Sequence, residues 1–368
     1  MASVIASQMA LNAICPYFTM FPLEFPRRIL AEHARAGQRV LDPFCGRGTT
    51  NFAARLAGLE TLGVDSNPVA VAITAAKLAT SDMGAVVCAA RRILLTVRAA
   101  PVPEGEFWTL AFHPKVLRKL CRLRTGLLAD CRSNARQVLR GIILGALHGP
   151  LGKETQSYFS NQCTRTYAPK PGYAVKYWRA NRLEPPSVDV LAVIRTRAER
   201  FLEVSLPECD GLSRLGDSRN ARTVAPNAEG ATFDWVITSP PYYGMRTYIQ
   251  DQWLRNWFLG GPDTVEYSVH GQLSHLSPEA FGAQLAQVWA NVASVCGDEA
   301  RLVIRFGGIR DRNAEPLDII KSSLHNSAWR ISTVRNAGSA DAGKRQANSF
   351  LISRSTPMTE YDVWARVG

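Results

Sequence analysis

Two short apolar runs, each ending in an acid and each followed by a helix-forming stretch, constrain this chain more than any other feature. Residues 39–44 (RVLDPF) read as a strand running into a glycine-rich turn, and 49–59 then place Phe52, Ala53, Leu56 and Ala57 on one helical face. Residues 60–65 (ETLGVD) read as a second strand. Asn67-Pro68 opens the next helix, through Leu78, because proline suits a first helical turn. Strands that alternate with helices need crossover connections, so the expected class is α/β with a mostly parallel sheet between helices.

The alternation breaks near residue 86 and resumes near 212. Strands are expected at 212–217 (LSRLGD), 233–238 (FDWVIT), 301–306 (RLVIRF), 329–334 and 349–353. The intervening tract carries helical signals at 114–124 and 137–147, then a loop-rich stretch that interleaves aromatic and basic residues. The expected organisation is therefore 1–85 as the first part of the sheet domain, 86–210 as an insert, and 211–368 as the second part. With 368 residues, 46% of them apolar, there is ample material for a core.

Charge separates the same regions. The net +12 of the whole chain lies entirely within 86–205, which holds 20 basic against 8 acidic side chains, while the two flanks sum to zero. A localised positive field suits a polyanion-binding surface, and equally a solvated face that aids solubility. Lys115, Arg118, Lys119 and Arg122 share one side of the 114–124 helix. Arg165, Lys170, Lys176 and Arg179 are interleaved with Tyr158, Phe159, Tyr167, Tyr173, Tyr177 and Trp178. Basic groups can meet phosphates while rings stack on bases, or the rings can pack the insert's own core.

Other function classes recede. No apolar stretch approaches the roughly 18–20 residues of a membrane span, and the first residues show no secretory leader, so a cytoplasmic protein is expected. The eight cysteines are scattered without a CxxC pair and read as reduced thiols. His270 and His275 have no partners at zinc spacing, so no metal is expected.

Two turns carry chemistry. Asp42-Pro43-Phe44-Cys45-Gly46-Arg47-Gly48-Thr49-Thr50 sits at a strand's carboxyl end, where α/β sheets bind ligands. Asn51 occupies the place of the last glycine or alanine of a dinucleotide fingerprint. Acids at two strand ends, Asp42 and Asp65, suit hydroxyls and a positive ligand better than a pyrophosphate. The second turn, Ser239-Pro240-Pro241-Tyr242, follows the FDWVIT strand. Its two prolines remove backbone donors and leave carbonyls to accept from a ligand's amino group.

DPFCGRGTT followed by GVDSNP, GDSR and TSPPYY resembles the motif series of the DNA amino-methyltransferases, closest to the cytosine-N4-specific members with a TSPPY turn. The resemblance spans residues 17–84 and 212–353 and leaves the insert unexplained. It implies a Rossmann-like, mostly parallel seven-stranded sheet whose last strand is antiparallel, with S-adenosylmethionine as methyl donor. Asp42, Phe44, Gly46 and Gly48, with Thr49 and Thr50, match the loop that wraps the donor's methionine part. Asp65, beside Ser66, matches the acid that holds the ribose hydroxyls, and Asp217 the position facing the adenine amino group. The segment containing Phe18 and Thr19 resembles one that closes over the donor. Ser239, Pro240, Pro241 and Tyr242 match the catalytic turn, with Tyr242 stacking on a base flipped out of the duplex.

The implied reaction is methylation of cytosine N4 in double-stranded DNA, with the basic insert gripping the target and a companion restriction endonuclease as a further partner. No metal is needed. No covalent base adduct is needed either, since the chain has no Pro-Cys dipeptide. Adenine N6, an RNA amine, or a catalytically silent nucleic-acid-binding module remain as alternatives.

Overall fold

The computed structural model describes residues 9–17, 21–150, 157–164, 167–208, 210–244, 251–266, 271–308, 314–339 and 359–368. The chain divides into two compact units. A sheet unit takes Thr19–Thr74, Pro207–Arg246 and Val269–Gly368, and a helical unit takes Met1–Phe18, Ala75–Leu206 and Thr247–Ser268.

In the sheet unit the strands are β1 (Arg39–Asp42), β2 (Glu60–Asp65), β3 (Gly211–Leu215), β4 (Phe233–Thr238), β5 (Cys296–Phe306), β6 (Trp329–Ser339) and β7 (Thr359–Val367). They form one sheet in the order β3-β2-β1-β4-β5-β7-β6. Six strands run in one direction, and β7 alone is reversed, lying antiparallel between β5 and β6. This is the Rossmann-like α/β architecture that the motif order implied. Central strands of such a sheet are covered on both faces, which is why Val40, Leu41, Val236, Ile237, Val303 and Ile304 are fully buried.

The final strand is not where the apolar pattern places it. The expected 349–353 strand lies outside the described residues, and the strand beside β5 is Thr359–Val367 (TEYDVWARV). Its two acids hide it from a hydropathy reading. Glu360 and Asp362 are nevertheless buried, and Asp362 is compensated by two bonds from Arg305, at 2.7 and 2.8 Å. Val363 and Ala365 point into the apolar core. There the large tryptophans satisfy their polar tips. Trp289 Nε1–H donates to Ser323 Oγ at 3.0 Å, and Trp329 Nε1–H donates to the Trp289 carbonyl at 3.0 Å.

The helical unit is built from helices that bury one stripe each. Val86, Val87, Ala90 and Ile93 of Met83–Thr96 pack against Asn134–Ala146 and Val190–Phe201. The helix expected at 114–124 extends over Pro114–Ala129, and the loop-rich tract contains a further helix, Pro171–Ala180. Proline occupies the first turn of that helix, and Ala174 and Trp178, four apart, supply its buried stripe. The unit is wider than the expected insert, because it includes the end of the Pro68–Leu78 helix from Ala75 onward and the helix Trp253–Phe258. Trp253 and Trp257 join Phe107, Trp108 and Trp178 in an aromatic cluster, with the Trp108 and Trp257 ring centroids 4.6 Å apart. Among the described residues, no helix is long and apolar enough to cross a membrane.

Candidate active site

The site is assembled at the carboxyl ends of β1, β2, β3 and β4, all within the sheet unit. After β1 the chain must reverse sharply, and two glycines allow it. Gly46 and Gly48 take φ of 50° and 70°, left-handed values that favour glycine. Gly48 is also pressed against the helix beneath the loop. A Cβ there would lie 2.6 Å from Thr74 Oγ1 and 2.8 Å from Thr74 Cγ2. Gly48 then caps the helix Thr49–Leu56, whose first N–H groups face the carboxyl edge.

Asp42 is the buried hub. Its Oδ1 accepts from the Phe44 amide at 3.1 Å and from the Thr238 hydroxyl at 2.6 Å. The second bond ties the glycine turn to the residue immediately before Ser239. Thr50 makes another tie, donating to the Ile237 carbonyl at 3.0 Å. With the Thr50 hydrogen committed there, Asp42 Oδ2 is buried with no hydrogen-bond partner among the described residues. Burial pushes the Asp42 carboxyl up to about 7, opposed by the Thr238 hydroxyl and the Phe44 amide.

Asp65 ends β2 and keeps some solvent contact at the cleft edge. Its two oxygens accept from the Gly46 and Asn67 amides at 2.9 and 2.8 Å, which clamps the two acidic turns together. Desolvation raises it to about 6 against the pull of those amides and of Ser66. A carboxylate oxygen has two lone pairs, so each retains capacity for a hydroxyl donor. Beyond β3, Asp217 forms a paired contact with Arg219, the closest bond being 2.5 Å. Desolvation of Asp217 is outweighed by Arg219, and its carboxyl falls below the usual range. Ser218 Oγ–H donates to the Pro43 carbonyl at 2.7 Å, which brings this turn against the first.

Ser239 and Pro241 are half-buried and Pro240 is buried at the end of β4, next to β1 in the sheet. Tyr242 is only 9% exposed. Its ring is edge-on to Phe306, with centroids 5.3 Å apart, and its hydroxyl donates to Glu360 Oε1 at 2.6 Å. The stacking role expected of Tyr242 thus requires the ring to leave this position, because the polar tip is satisfied inside the core. Tyr243 is the more accessible ring, flanked by His275 and Phe281 at 6.1 and 5.7 Å. His275 Nδ1 accepts from the Gly244 amide at 3.0 Å and so fixes the exit of the turn.

The structure therefore brings together Asp42, Phe44, Gly46, Gly48, Thr49, Thr50, Asp65, Ser66, Asp217 and the Ser239–Tyr242 turn within one unit. Phe18 and Thr19 lie outside the described residues, as does Arg165. Thr74 and Glu360 were not singled out from the sequence, His275 was weighed there only as a metal ligand, and Thr238 was given no role of its own. Thr238 carried a local signal, as the residue preceding the Ser-Pro-Pro turn.

The basic residues of the helical unit sort into two groups. Lys115, Arg118, Lys170 and Lys176 are exposed and Lys119 half-exposed. Arg122 differs from the expectation: it turns inward and donates to the Leu94 and Val97 carbonyls at the end of the Met83–Thr96 helix. Arg179 pairs with Glu106. Among the interleaved rings, Tyr158, Phe159 and Trp178 are buried, whereas Tyr173 and Tyr177 are 71% and 44% exposed.

One family model matches the first part of the chain. The family model described as DNA methylase (N6_N4_Mtase) matches residues 7–76, which contain both acidic turns. No curated protein matches the sequence. Solved structures similar to this chain include the rRNA methyltransferase AviRa from Streptomyces viridochromogenes, at 14% identity and TM-score 0.35, covering 96% of this chain and 87% of that one. TrmN from Thermus thermophilus is 9% identical with TM-score 0.37, covering 95% and 49%. The magnesium protoporphyrin IX methyltransferase of Synechocystis, solved with bound S-adenosylmethionine, is 10% identical with TM-score 0.35, covering 94% and 77%. At these scores the fold assignment rests on strand order and register.

Proposed function

We propose that the protein is an S-adenosylmethionine-dependent methyltransferase acting on an exocyclic amino nitrogen of a nucleic acid, with cytosine N4 of DNA as the leading target. The observation that carries this reading is the 2.6 Å bond from Thr238 to Asp42, which makes the glycine turn and the Ser-Pro-Pro-Tyr turn two walls of one site.

The residues present suit the donor. Asp65 has lone pairs left for a ribose diol, and the unpartnered Asp42 Oδ2 adds acidic character suited to a cationic ligand. Close packing at Gly48 keeps the loop low, so that backbone rather than side chain lines the cleft. The donor, when bound, supplies an electrophilic methyl group on a sulfonium.

The protein's part is orientation. An exocyclic amine is a poor nucleophile because its lone pair is delocalised into the ring, so its direction of approach must be held. The Ser239 hydroxyl oxygen and the Pro240 carbonyl accept the amine's hydrogens and favour a more tetrahedral nitrogen. They also stabilise the positive charge that develops there. Serine at the head of the turn favours cytosine N4 over adenine N6. The Asp217–Arg219 contact must open if Asp217 is to meet the donor's adenine.

Support for a nucleic-acid substrate comes from the helical unit, where Tyr173 and Tyr177, four apart on one helix, share an exposed surface with Lys170 and Lys176. Stacking on such rings contributes about 1–3 kcal/mol per base and is indifferent to sequence. Residues 86–210 are the proposed gripping region on this reading.

Incubation with labelled donor and DNA or RNA, followed by digestion to nucleosides, tests the proposal. N4-methylcytosine is the expected product. N6-methyladenine or a methylated RNA guanine would move the target within the class. Failure of the protein to bind donor would favour a silent binding module.

A further inference from the structure

One face of the sheet holds an arrangement that folding alone disfavours. Along β5 and β7 every second side chain enters the core around Trp289: Leu302 and Ile304, and opposite them Ala365 and Val363. The residues between them line the other face. There the register sets Arg301 opposite Arg366, and Arg366 opposite Arg330 of β6, so three arginines form one row across three adjacent strands. Neighbouring strands lie about 4.8 Å apart, and like charges set directly opposite repel. All three arginines are exposed, and none forms an ion pair among the described residues. The same holds for Arg335 of β6, whose guanidinium lies 5.8 Å from the ring of half-buried Trp364 beside the row. Acids do not relieve the row. Asp362 on this face is held by Arg305, and Glu299, exposed two residues ahead of Arg301, makes no ion pair among the described residues. The helix Glu24–His33 covers part of the face, with Phe25 against Arg305 at 3.8 Å and His33 against Trp364 at 5.5 Å, and leaves the row exposed.

We propose that the row Arg301, Arg366 and Arg330, with Arg335 and Trp364, is a second contact surface for nucleic acid that grips phosphates away from the site of methyl transfer. The identity of the partner rests on the amine-methylation reading above, and the surface itself on the strand register. Each guanidinium offers a planar fork of donors that fits phosphate oxygens, and anions set among the arginines relieve their repulsion. A membrane is the poorer match, because this part of the face has no exposed aliphatic side chain to insert. Val303 is buried, and Ile331 and Val334 pair with Ala365 and Val363, which places them on the opposite face. Arg301 also lies five residues before Phe306, the end of β5, or about 16 Å from the carboxyl edge at the usual rise per residue. A contact there adds affinity and carries no information about the target base. A tally of charges hides the surface, since the segments flanking the insert sum to zero.

Binding of a labelled DNA duplex over a salt titration tests this, in the wild type and in the triple variant Arg301→Gln, Arg330→Gln, Arg366→Gln. Loss of three phosphate contacts should lower the slope of log affinity against log salt by about 3, and the affinity at about 0.1 M salt on the order of 100-fold. The corresponding triple lysine variant keeps the charge and should keep the slope. Thermal stability of the glutamine variant should equal or exceed that of the wild type, because repulsion between neighbours is gone. Its donor affinity by calorimetry should be unchanged, and so should its single-turnover rate at saturating DNA. A wild-type salt slope in the glutamine variant would overturn the proposal. If that variant kept its DNA affinity but lost binding to polyglutamate or to phosphatidylserine vesicles, the surface would belong to an acidic protein or a membrane instead. DNA binding that depends on the row, in a protein that methylates no nucleic acid, would uphold the surface and overturn the reading of the methyl-transfer site.

Discussion

The two units handle charge in opposite ways. In the sheet unit, acids that the chain places at successive strand ends converge on one edge, and two of them, Asp42 and Asp65, stand above their ordinary range because burial disfavours their ionised forms. In the helical unit, much of the positive excess is turned inward. Arg197 donates to the Ile14 and Ser157 carbonyls at 3.1 and 3.2 Å. Arg255 donates to the Leu144 carbonyl at 3.1 Å, and Arg124 to that of Trp257 at 2.7 Å. A charge tally cannot separate arginines that close helix ends and loops from those that meet solvent. The exposed subset, Lys115, Arg118, Lys119, Lys170 and Lys176, is therefore the sharper candidate for phosphate contacts.

Four experiments bear on this contrast. The largest effect is expected in the sheet unit, where Gly48→Val forces a branched side chain onto Thr74 at a left-handed φ of 70°. Strain of about 1–3 kcal/mol displaces the loop, and donor affinity measured by calorimetry should fall on the order of 100-fold. Next, neutralising Lys115, Arg118 and Lys119 together should weaken DNA binding and reduce the slope of log affinity against log salt by about 3. An unchanged slope would remove that helix from the proposed interface. Arg122→Ala should do the converse, lowering thermal stability by about 1–3 kcal/mol through the lost carbonyl contacts while leaving the salt slope alone.

The smallest effect is the pH dependence of donor affinity. The ordinary value of an aspartate is 3.8, and burial raises Asp42 to about 7 and Asp65 to about 6. Their contribution to folded stability is therefore fully present below the ordinary value and lost as pH rises through about 6 to 7. A cationic donor favours the ionised carboxylates. Its affinity should rise by roughly tenfold across the same window, with proton release on binding near pH 6. A flat profile would mean that neither acid faces the donor.

Legibility followed the range of the forces involved. The first strands, the glycine turn and the proline turn were readable because each depends on local patterning: an apolar run, a residue free to take positive φ, a ring that fixes φ. Glu360 was not readable, because its contact with Tyr242 depends on the antiparallel register that sets Arg305 opposite Asp362 and brings β7 beside the end of β5. The helix Pro171–Ala180 was obscured by its polar and aromatic face, although its proline start and its Ala174–Trp178 stripe were local signals. The inward turn of Arg122 depends on where the Met83–Thr96 helix ends, which no property of residue 122 encodes.

The central claim, that the two turns form a donor half and an acceptor half of one site, is tested most directly by single-turnover methyl transfer over a donor titration in Asp65→Ala and Ser239→Ala. The account predicts a crossed result: Asp65→Ala binds donor weakly but regains rate at saturation, whereas Ser239→Ala binds donor normally and transfers at a rate lowered on the order of 100-fold. Wild-type affinity in the first together with a wild-type rate in the second would contradict it.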